Sequence, residues 1–155
     1  MIVLLCGPPA SGKTTLAIGL QQRLADRGYA FELLDSDDFP SRTYERMYDR
    51  VARSDADWIL DGTFYERDIR ARFRTLGDVY VVWVRVSRRT ALERNRTREG
   101  SIPEAGLHVM HESFEPPRAD LTIDTDDLST GAALDRLASA VWSWLDGREP
   151  PHERG

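Results

Sequence analysis

The sequence predicts a three-layer α/β fold, in which helices cover both faces of a parallel β-sheet. Short apolar runs rich in Val, Ile and Leu alternate along the chain with longer segments of helical periodicity. A chain of 155 residues fits one domain that is large enough to bury a core on both faces of a sheet. Because each strand is followed by a helix, the connections are crossovers and the strands are expected to be parallel.

The first half of the chain contains three of the predicted strands and two of the predicted helices. Each strand is a short apolar run, and the second and third runs end at acidic residues. Gly28 follows the first helix, where glycine commonly ends a helix because it tolerates a left-handed backbone. In chain order, these elements are strand 2–6, helix 13–27, strand 29–34, helix 43–52 and strand 58–60.

The second half contains two further strands and four helices. The run at 79–86 is almost entirely β-branched or aromatic, which is typical of a strand buried on both faces. The last helix has Leu134, Leu137 and Val141 at core spacing. In chain order, the elements are helix 66–76, strand 79–86, helix 88–98, helix 104–112, strand 121–123 and helix 128–145. We expect one domain over residues 1–145, with a lid around 94–112 and a flexible tail at 146–155.

The junction between the first strand and the first helix reads Gly7-Pro8-Pro9-Ala10-Ser11-Gly12-Lys13-Thr14. It matches G-x-x-x-x-G-K-[ST], the phosphate-binding loop (P-loop), in the strand-to-helix setting that this motif requires. Backbone N–H groups converge there on phosphate oxygens at a helix N-terminus, where the helix dipole favours negative charge. The residues expected to bind the nucleotide are Gly7, Ala10, Ser11, Gly12, Lys13, Thr14 and Thr15, and Lys13 is also expected to act in catalysis.

A magnesium site is expected beside this loop. The hydroxyl of Thr14 is an oxygen ligand of the kind that Mg²⁺ prefers. A second ligand normally comes from an acid at the end of an apolar strand. Asp61 directly follows the apolar run Trp58-Ile59-Leu60, so Thr14 and Asp61 are the predicted metal-binding residues.

An aspartate cluster at the end of the second predicted strand provides candidates for a catalytic base. Asp37 is the preferred one, because phosphoryl transfer to a hydroxyl needs a carboxylate close to the acceptor. These residues are also typical of a turn, and Asp35 or Asp38 could take the role instead. The cluster lies at the carboxyl edge of the predicted sheet, where open α/β sheets bind their ligands.

Six arginines fall between residues 85 and 98. Arg94 and Arg98 are four residues apart and therefore share a helical face. From that face they could close over the transferred phosphoryl group and stabilise its charge, which makes them the candidate catalytic arginines. The alternative is a solvated helix face paired with Glu93 and Glu99.

The composition of the chain restricts the cellular compartments and the binding partners that we expect. The net charge of −5 argues against general attraction to nucleic acid. One cysteine, Cys6, allows no internal disulfide, and no apolar stretch is long enough to span a membrane, so we expect a cytoplasmic protein. The only lysine is Lys13, although Lys and Arg together number 21, which fits a need for a compact ammonium at that position.

Several further motifs occur in an order that resembles the P-loop kinases typified by seryl-tRNA(Sec) kinase, with adenylylsulfate kinase as a more distant relative. The resemblance covers residues 1 to about 145. Its motifs are Ser36-Asp37, Asp61-Gly62-Thr63-Phe64-Tyr65, Arg70, Arg94-Asn95, Arg98, Ile102-Pro103, Met110, Phe114-Glu115-Pro116 and Ile123-Asp124-Thr125.

This resemblance implies a nucleoside-monophosphate-kinase-like fold with a five-stranded sheet in the order 2-3-1-4-5. It also implies ATP and Mg²⁺ as cofactors, Asp37 as the base that activates the acceptor, and Arg94 and Arg98 in the lid. The sequence departs from the family at Gly62, where the seryl-tRNA kinases usually carry a second acid. We also expect it to lack the RNA-contacting domain that follows in those kinases.

Together these observations predict an ATP-dependent kinase that phosphorylates an alcohol group of a small acceptor. A tRNA or oligonucleotide partner is less favoured, because the RNA-contacting domain is expected to be missing and the net charge is negative. Adenylylsulfate kinase is the most concrete alternative. A nucleotide switch or accessory ATPase in tRNA metabolism is the alternative of a different class. The acceptor and the oligomeric state remain open.

Overall fold

The computed structural model describes residues 1–98 and 101–147. All five expected strands and six expected helices are present among these residues, and a single 3₁₀ turn covers Ser36–Asp38. In chain order, the elements are β1 (Ile2–Cys6), α1 (Lys13–Asp26), β2 (Phe31–Asp35), α2 (Thr43–Ala52), β3 (Asp57–Asp61), α3 (Arg67–Arg74), β4 (Val79–Arg85), α4 (Arg88–Thr97), α5 (Glu104–Ser113), β5 (Leu121–Asp124) and α6 (Thr130–Asp146).

The five strands form one parallel sheet in the order β2-β3-β1-β4-β5, which confirms the predicted topology. Strand β1 is central, and its Leu4 pairs with Leu60 of β3 on one side and Val81 of β4 on the other. Every residue of β1 is buried, as expected for a strand covered on both faces. The loop after β1 therefore leaves the sheet at the middle of its carboxyl edge.

Side chains from opposite faces of the sheet enter two separate cores. On one face, Val3 and Leu5 of β1 pack with residues of α1 and α6, including Leu20 and Leu137. On the other face, Leu4 packs in a core that α2 and α3 complete. Because successive residues of a strand point to opposite faces, one five-residue strand contributes to both cores and joins the three layers.

Two elements begin two residues later than their apolar patterns predict. Strand β2 begins at Phe31, because the Tyr29 N–H bonds to the Leu24 carbonyl in the turn that ends α1. Helix α6 begins at Thr130, because the Ser129 hydroxyl accepts a hydrogen bond from the Ala132 N–H at 3.1 Å and caps the helix. Local hydrogen bonds of this kind set the element boundaries.

The segment predicted as a lid, residues 94–112, contains the end of α4, the connection that follows it and most of α5. The Asn95 side chain donates to the Ile102 carbonyl at 2.7 Å and accepts from the Ile102 N–H at 3.0 Å, so it ties the start of α5 to α4. Residues 99–100 of the predicted lid and residues 148–155 of the predicted tail lie outside the described part of the chain. Among the residues that are described, no helix is both long and apolar enough to cross a membrane.

The packing of α6 leads to a stability prediction. Leu137 is fully buried between α6 and the sheet, so Leu137→Ala is expected to lower the free energy of unfolding by about 2–5 kcal/mol through lost burial and a residual cavity. Ser143→Ala on the exposed side of the same helix is the control, with an expected change within about 0.5 kcal/mol. Urea unfolding measures both values. A loss below about 1 kcal/mol for Leu137→Ala would contradict this packing.

Candidate active site

The shape of the P-loop depends on glycine at two positions. A Cβ on Gly7 would lie 2.2 Å from the Val84 carbonyl oxygen, so the close approach of the loop to β4 excludes any side chain there. Gly12 has a φ of 94°, a left-handed conformation that L side chains rarely adopt, at the N-cap of α1. Gly7 therefore sets the loop against the sheet, and Gly12 turns it into the helix.

Lys13 is enclosed by the loop that it follows. Its residue is only 8% exposed, and its Nζ donates hydrogen bonds to the Pro8 carbonyl at 2.9 Å and the Ser11 hydroxyl at 3.3 Å. Burial lowers the pKa of Lys13, while the negative charge of Asp61 opposes that shift. The ammonium is thus held within the curve of the loop by neutral partners, where anionic oxygens would be stronger ones.

Thr14 and Asp61 are joined directly. The Thr14 hydroxyl donates to Oδ2 of Asp61 at 2.7 Å, across 47 residues of sequence. Asp61 is 3% exposed, and its burial raises the pKa of the carboxyl, while the Thr14 hydrogen bond and the Lys13 charge oppose the shift. The two predicted metal-binding residues are therefore brought together at the start of α1 and the end of β3.

Oxygen atoms of the kind that Mg²⁺ prefers as ligands lie close together at this point. Asp35 pairs with Asp61 in the register of β2 and β3, so a second carboxyl stands beside the Thr14–Asp61 pair. Within residues 1–98 and 101–147, no group of three or more His, Cys, Asp or Glu side chains is placed to hold a metal ion. Mg²⁺ bound here would therefore complete its six oxygen ligands with phosphate and water, as it commonly does in proteins.

The three candidate aspartates differ in their positions. Asp35 and Asp37 line the central cleft, whereas Asp38 is not part of its lining. Oδ1 of Asp35 accepts a hydrogen bond from the Asp37 N–H at 2.9 Å, and this bond shapes the 3₁₀ turn. Burial raises the pKa of Asp35, and the charges of Asp37 and Asp38 raise it further. The turn therefore presents two carboxyl groups to the cleft.

Arg94 and Arg98 both line the cleft but have different surroundings. The Arg94 guanidinium donates to the Ala10 carbonyl at 3.3 Å, to the Thr125 hydroxyl at 3.1 Å and to the Thr125 carbonyl at 2.8 Å. It therefore connects the P-loop to the residue that follows β5. Arg98 is exposed and lies just beyond the end of α4 in extended backbone, so the prediction that it shares a helical face with Arg94 is wrong.

The candidate catalytic, nucleotide-binding and metal-binding residues do not include Thr125. In the sequence, Thr125 belongs only to the Ile123-Asp124-Thr125 motif of the resemblance to P-loop kinases. It is buried, and its hydroxyl lies 2.9 Å from the Ser11 carbonyl and 3.2 Å from the Arg85 carbonyl, within donating distance of both. Its position one residue beyond a strand was the available clue, because ligands bind at the carboxyl ends of strands in such sheets.

These residues surround one cleft of about 960 Å³. Its lining includes six of the seven predicted nucleotide-binding residues, all four predicted catalytic residues and both predicted metal-binding residues. The seventh, Gly7, is at the start of the loop and packs closely against β4. Apolar side chains of α5, of α6 and of the segments just before these helices form further walls, and none of them is among the predicted site residues. They include Ile102, Val109, Met110, Leu128 and Ala133. The volume is at the upper end of typical small-molecule sites, which reach about 1,000 Å³.

Gly62, where the resemblance to the seryl-tRNA kinases implies a second acid, lies in a tightly packed position. A Cβ on Gly62 would lie 2.9 Å from a ring carbon of Phe64 and 3.1 Å from the Cβ of Ser36. Phe64 is fully buried, and its N–H donates to the Tyr44 hydroxyl at 2.9 Å. A second acid at position 62 would require these side chains to move, so the carboxyl groups at this edge come from Asp35 and Asp61.

A phosphate-binding loop, a buried strand-end aspartate and a 2-3-1-4-5 parallel sheet define the class as P-loop proteins with a kinase-like fold. Residues 2–117 match the sequence profile of a family described as an AAA domain, and the chain belongs to that family. No curated protein matches the sequence significantly.

Solved structures share the fold over nearly the whole chain. Kti12 from Chaetomium thermophilum in complex with ADP-AlF3 is 18% identical, with a TM-score of 0.74, and the match covers 95% of this chain and 100% of that one. The APS kinase CysC from Mycobacterium tuberculosis, in complex with AMPPNP and APS, is 17% identical, with a TM-score of 0.70 and coverage of 94% and 97%. A gluconokinase from Sinorhizobium meliloti 1021 is 18% identical, with a TM-score of 0.67 and coverage of 94% and 97%.

Burial of Asp61 leads to a prediction about stability and pH. Its folded-state pKa is raised, so the protonated carboxyl stabilises the fold at low pH, and this stabilisation is lost as pH rises through the folded-state pKa. Without nucleotide or metal, Asp61→Asn is therefore expected to be more stable relative to the wild type at about pH 7 than at about pH 4.

Urea unfolding in the presence of EDTA across that pH range measures the difference. The exposed Asp55→Asn is the control for removing a carboxylate from the surface near the start of β3. A difference between Asp61→Asn and wild type that stays constant with pH would show that burial does not raise the pKa of this carboxyl.

Proposed function

We propose that this protein is an ATP- and Mg²⁺-dependent phosphotransferase that moves the γ-phosphoryl group of ATP to an alcohol group of a small acceptor. One observation carries the proposal. The P-loop, with the Thr14–Asp61 hydrogen bond at its end, shares a cleft with two carboxyl groups from the end of β2, Asp35 and Asp37. A site that only bound a nucleotide would not require this second pair of acids, because a carboxylate beside the γ-phosphate serves to take the proton of an attacking hydroxyl group.

The donor half of the site is formed by the P-loop. N–H groups at the start of α1 face phosphate oxygens, and the Lys13 ammonium exchanges its neutral partners Pro8 and Ser11 for phosphate. Thr14 and Asp61 would hold Mg²⁺, which when bound neutralises negative charge on the phosphate oxygens. Lys13 places a second positive charge beside the transferred group.

The sheet order separates the two halves of the cleft. Strands β2 and β3 lie on one side of the P-loop, and β4 and β5 lie on the other. We place the nucleoside toward Leu128 and Ala133 near the start of α6, where the lining is apolar. The acceptor then occupies the opposite side, where Asp35 and Asp37 stand.

In the proposed reaction, the acceptor oxygen attacks the γ-phosphorus in line with the bond to the β–γ bridging oxygen. The new P–O bond forms as the bridging bond breaks, ADP leaves, and the carboxylate of Asp37 takes the hydroxyl proton. Asp35 positions this base, because its Oδ1 accepts a hydrogen bond from the Asp37 N–H. Holding the acceptor and the phosphoryl group in one orientation supplies much of the rate.

The two candidate arginines have different roles in this proposal. Arg94 is bonded to carbonyls of the P-loop and to Thr125, so it positions the loop. Arg98 lines the cleft from an exposed position on the lid side, so we assign it the contact with the transferred phosphoryl group.

Kinases among the structural neighbours support phosphoryl transfer as the reaction class. The small alcohol acceptor is a prediction of this proposal. A panel of acceptors tests it: sugar acids, free amino alcohols, adenylylsulfate and seryl-tRNA, each assayed with ATP for a phosphorylated product. Product from a small alcohol supports the proposal. Hydrolysis of ATP at one rate with every acceptor, and with no acceptor, would favour an accessory ATPase instead.

The role of Asp37 gives the sharpest mutational prediction. Asp37→Asn is expected to lower kcat by about 10²–10⁴-fold, because the hydroxyl proton loses its acceptor. The affinity for ATP is expected to change less than about twofold, because Asp37 lies outside the phosphate loop. Steady-state kinetics and equilibrium ATP binding measure the two quantities.

Asp38→Asn is the matched control, because Asp38 is the adjacent aspartate and lies outside the cleft lining. Its kcat is expected to stay near the wild-type value. If Asp35→Asn abolished transfer and Asp37→Asn did not, the base would be Asp35. Full activity in both Asp35→Asn and Asp37→Asn would show that neither aspartate is an essential base.

A further inference from the structure

A second cleft, which we call the arginine cleft, lies outside the nucleotide site. It has a volume of about 450 Å³ and is lined by Arg67, Arg70 and Arg74 of α3, by Arg118 of the segment before β5, and by Val81 and two prolines. None of these residues lines the nucleotide cleft. The three helical arginines share a face because they are three and four residues apart.

Arg70 gives the arginine cleft a buried positive charge. Its residue is 3% exposed, and its guanidinium donates to two neutral groups, the Phe64 carbonyl at 2.6 Å and the Glu115 carbonyl at 2.5 Å. Burial lowers the pKa of Arg70, the Glu115 carboxylate opposes this shift, and the charges of Arg67 and Arg74 add to it. A buried cation whose direct partners are carbonyls is better stabilised when an anion joins it.

The nearby carboxylates neutralise the positive charge of the arginine cleft only in part. Arg67 Nε lies 3.9 Å from Glu115, and Arg74 Nη2 lies 3.6 Å from Asp120, both beyond hydrogen-bond distance. The same Oδ2 of Asp120 accepts a hydrogen bond from the Val81 N–H at 2.7 Å. Arg74 Nη2 also donates to the Arg118 carbonyl at 2.9 Å, another neutral partner. Four arginines thus line the cleft and two carboxylates pair with them, which leaves an excess of positive charge in a chain whose net charge is −5.

We propose that the arginine cleft binds the phosphate group of a small phosphorylated ligand. One guanidinium group can donate two parallel hydrogen bonds to two oxygens of the same phosphate. This geometry favours phosphate over a monovalent halide ion. The volume suits a small molecule rather than a nucleic-acid strand, and the negative net charge of the chain does not attract a long polyanion. The proposal does not depend on the reaction carried out in the other cleft.

Calorimetric titration of inorganic phosphate into the Lys13→Met variant tests the proposal. This background substitution removes the lysine that we expect to bind phosphate in the nucleotide cleft. Adding Arg74→Gln and Arg118→Gln is expected to weaken phosphate binding at least about tenfold, because both guanidinium groups are lost. Both positions are solvent-exposed, and circular dichroism checks that the variant is folded. The matched control is Arg46→Gln with Arg50→Gln, which removes two exposed arginines of α2, and it is expected to bind like the parent.

Equal affinity in the parent and both double variants, or no binding to the parent, would overturn the proposal. A second arm compares phosphoserine with a single-stranded oligonucleotide as competitors of inorganic phosphate. Displacement by phosphoserine, lost in the Arg74→Gln, Arg118→Gln variant, supports a small phosphorylated ligand. Displacement by the oligonucleotide alone would show that the cleft is part of a nucleic-acid surface and would contradict the proposal.

Discussion

One hydrogen bond, from the Thr14 hydroxyl to the Asp61 carboxylate, joins the two elements on which the site depends. It connects the first turn of α1 to the end of β3, and it forms only because β1 and β3 run parallel with Leu5 opposite Asp61. Burial makes the charged carboxylate costly, and the Lys13 ammonium and the Thr14 hydroxyl offset part of that cost. The carboxylate is thereby kept where a metal bound beside the phosphate loop would need it.

The rest of the cleft is arranged around this bond by the order of the strands. Because β3 is flanked by β2, Asp35 stands in register with Asp61, and the turn that follows brings Asp37 to the same side. On the other side, Arg94 and Thr125 bond to carbonyls of the loop and fix its conformation. A loop held from both sides needs little rearrangement when a nucleotide binds, which favours tight binding and a fixed orientation of the phosphate groups.

Sequence reasoning was most successful where the information is local. The P-loop, the strand-end position of Asp61 and the periodicity of the helices each depend on a few adjacent residues, and the sheet order followed from resemblance to known kinases. The bond between Thr125 and Ser11 spans 114 residues, so no local pattern could reveal it. The arginine cleft likewise combines α3 with Arg118, and only the folded chain brings them together. The choice between Asp35 and Asp37 depends on an acceptor that the sequence does not specify.

The central claim is that Thr14 and Asp61 form the metal-binding half of an ATP site, and the Mg²⁺ dependence of ATP binding tests it most directly. Thr14→Val removes the hydroxyl and keeps the shape of the side chain. Calorimetric titration of ATP with and without Mg²⁺ should show a wild-type affinity that Mg²⁺ increases, and a Mg²⁺ enhancement at least about tenfold smaller in the variant. The same Mg²⁺ enhancement in both proteins would contradict the account.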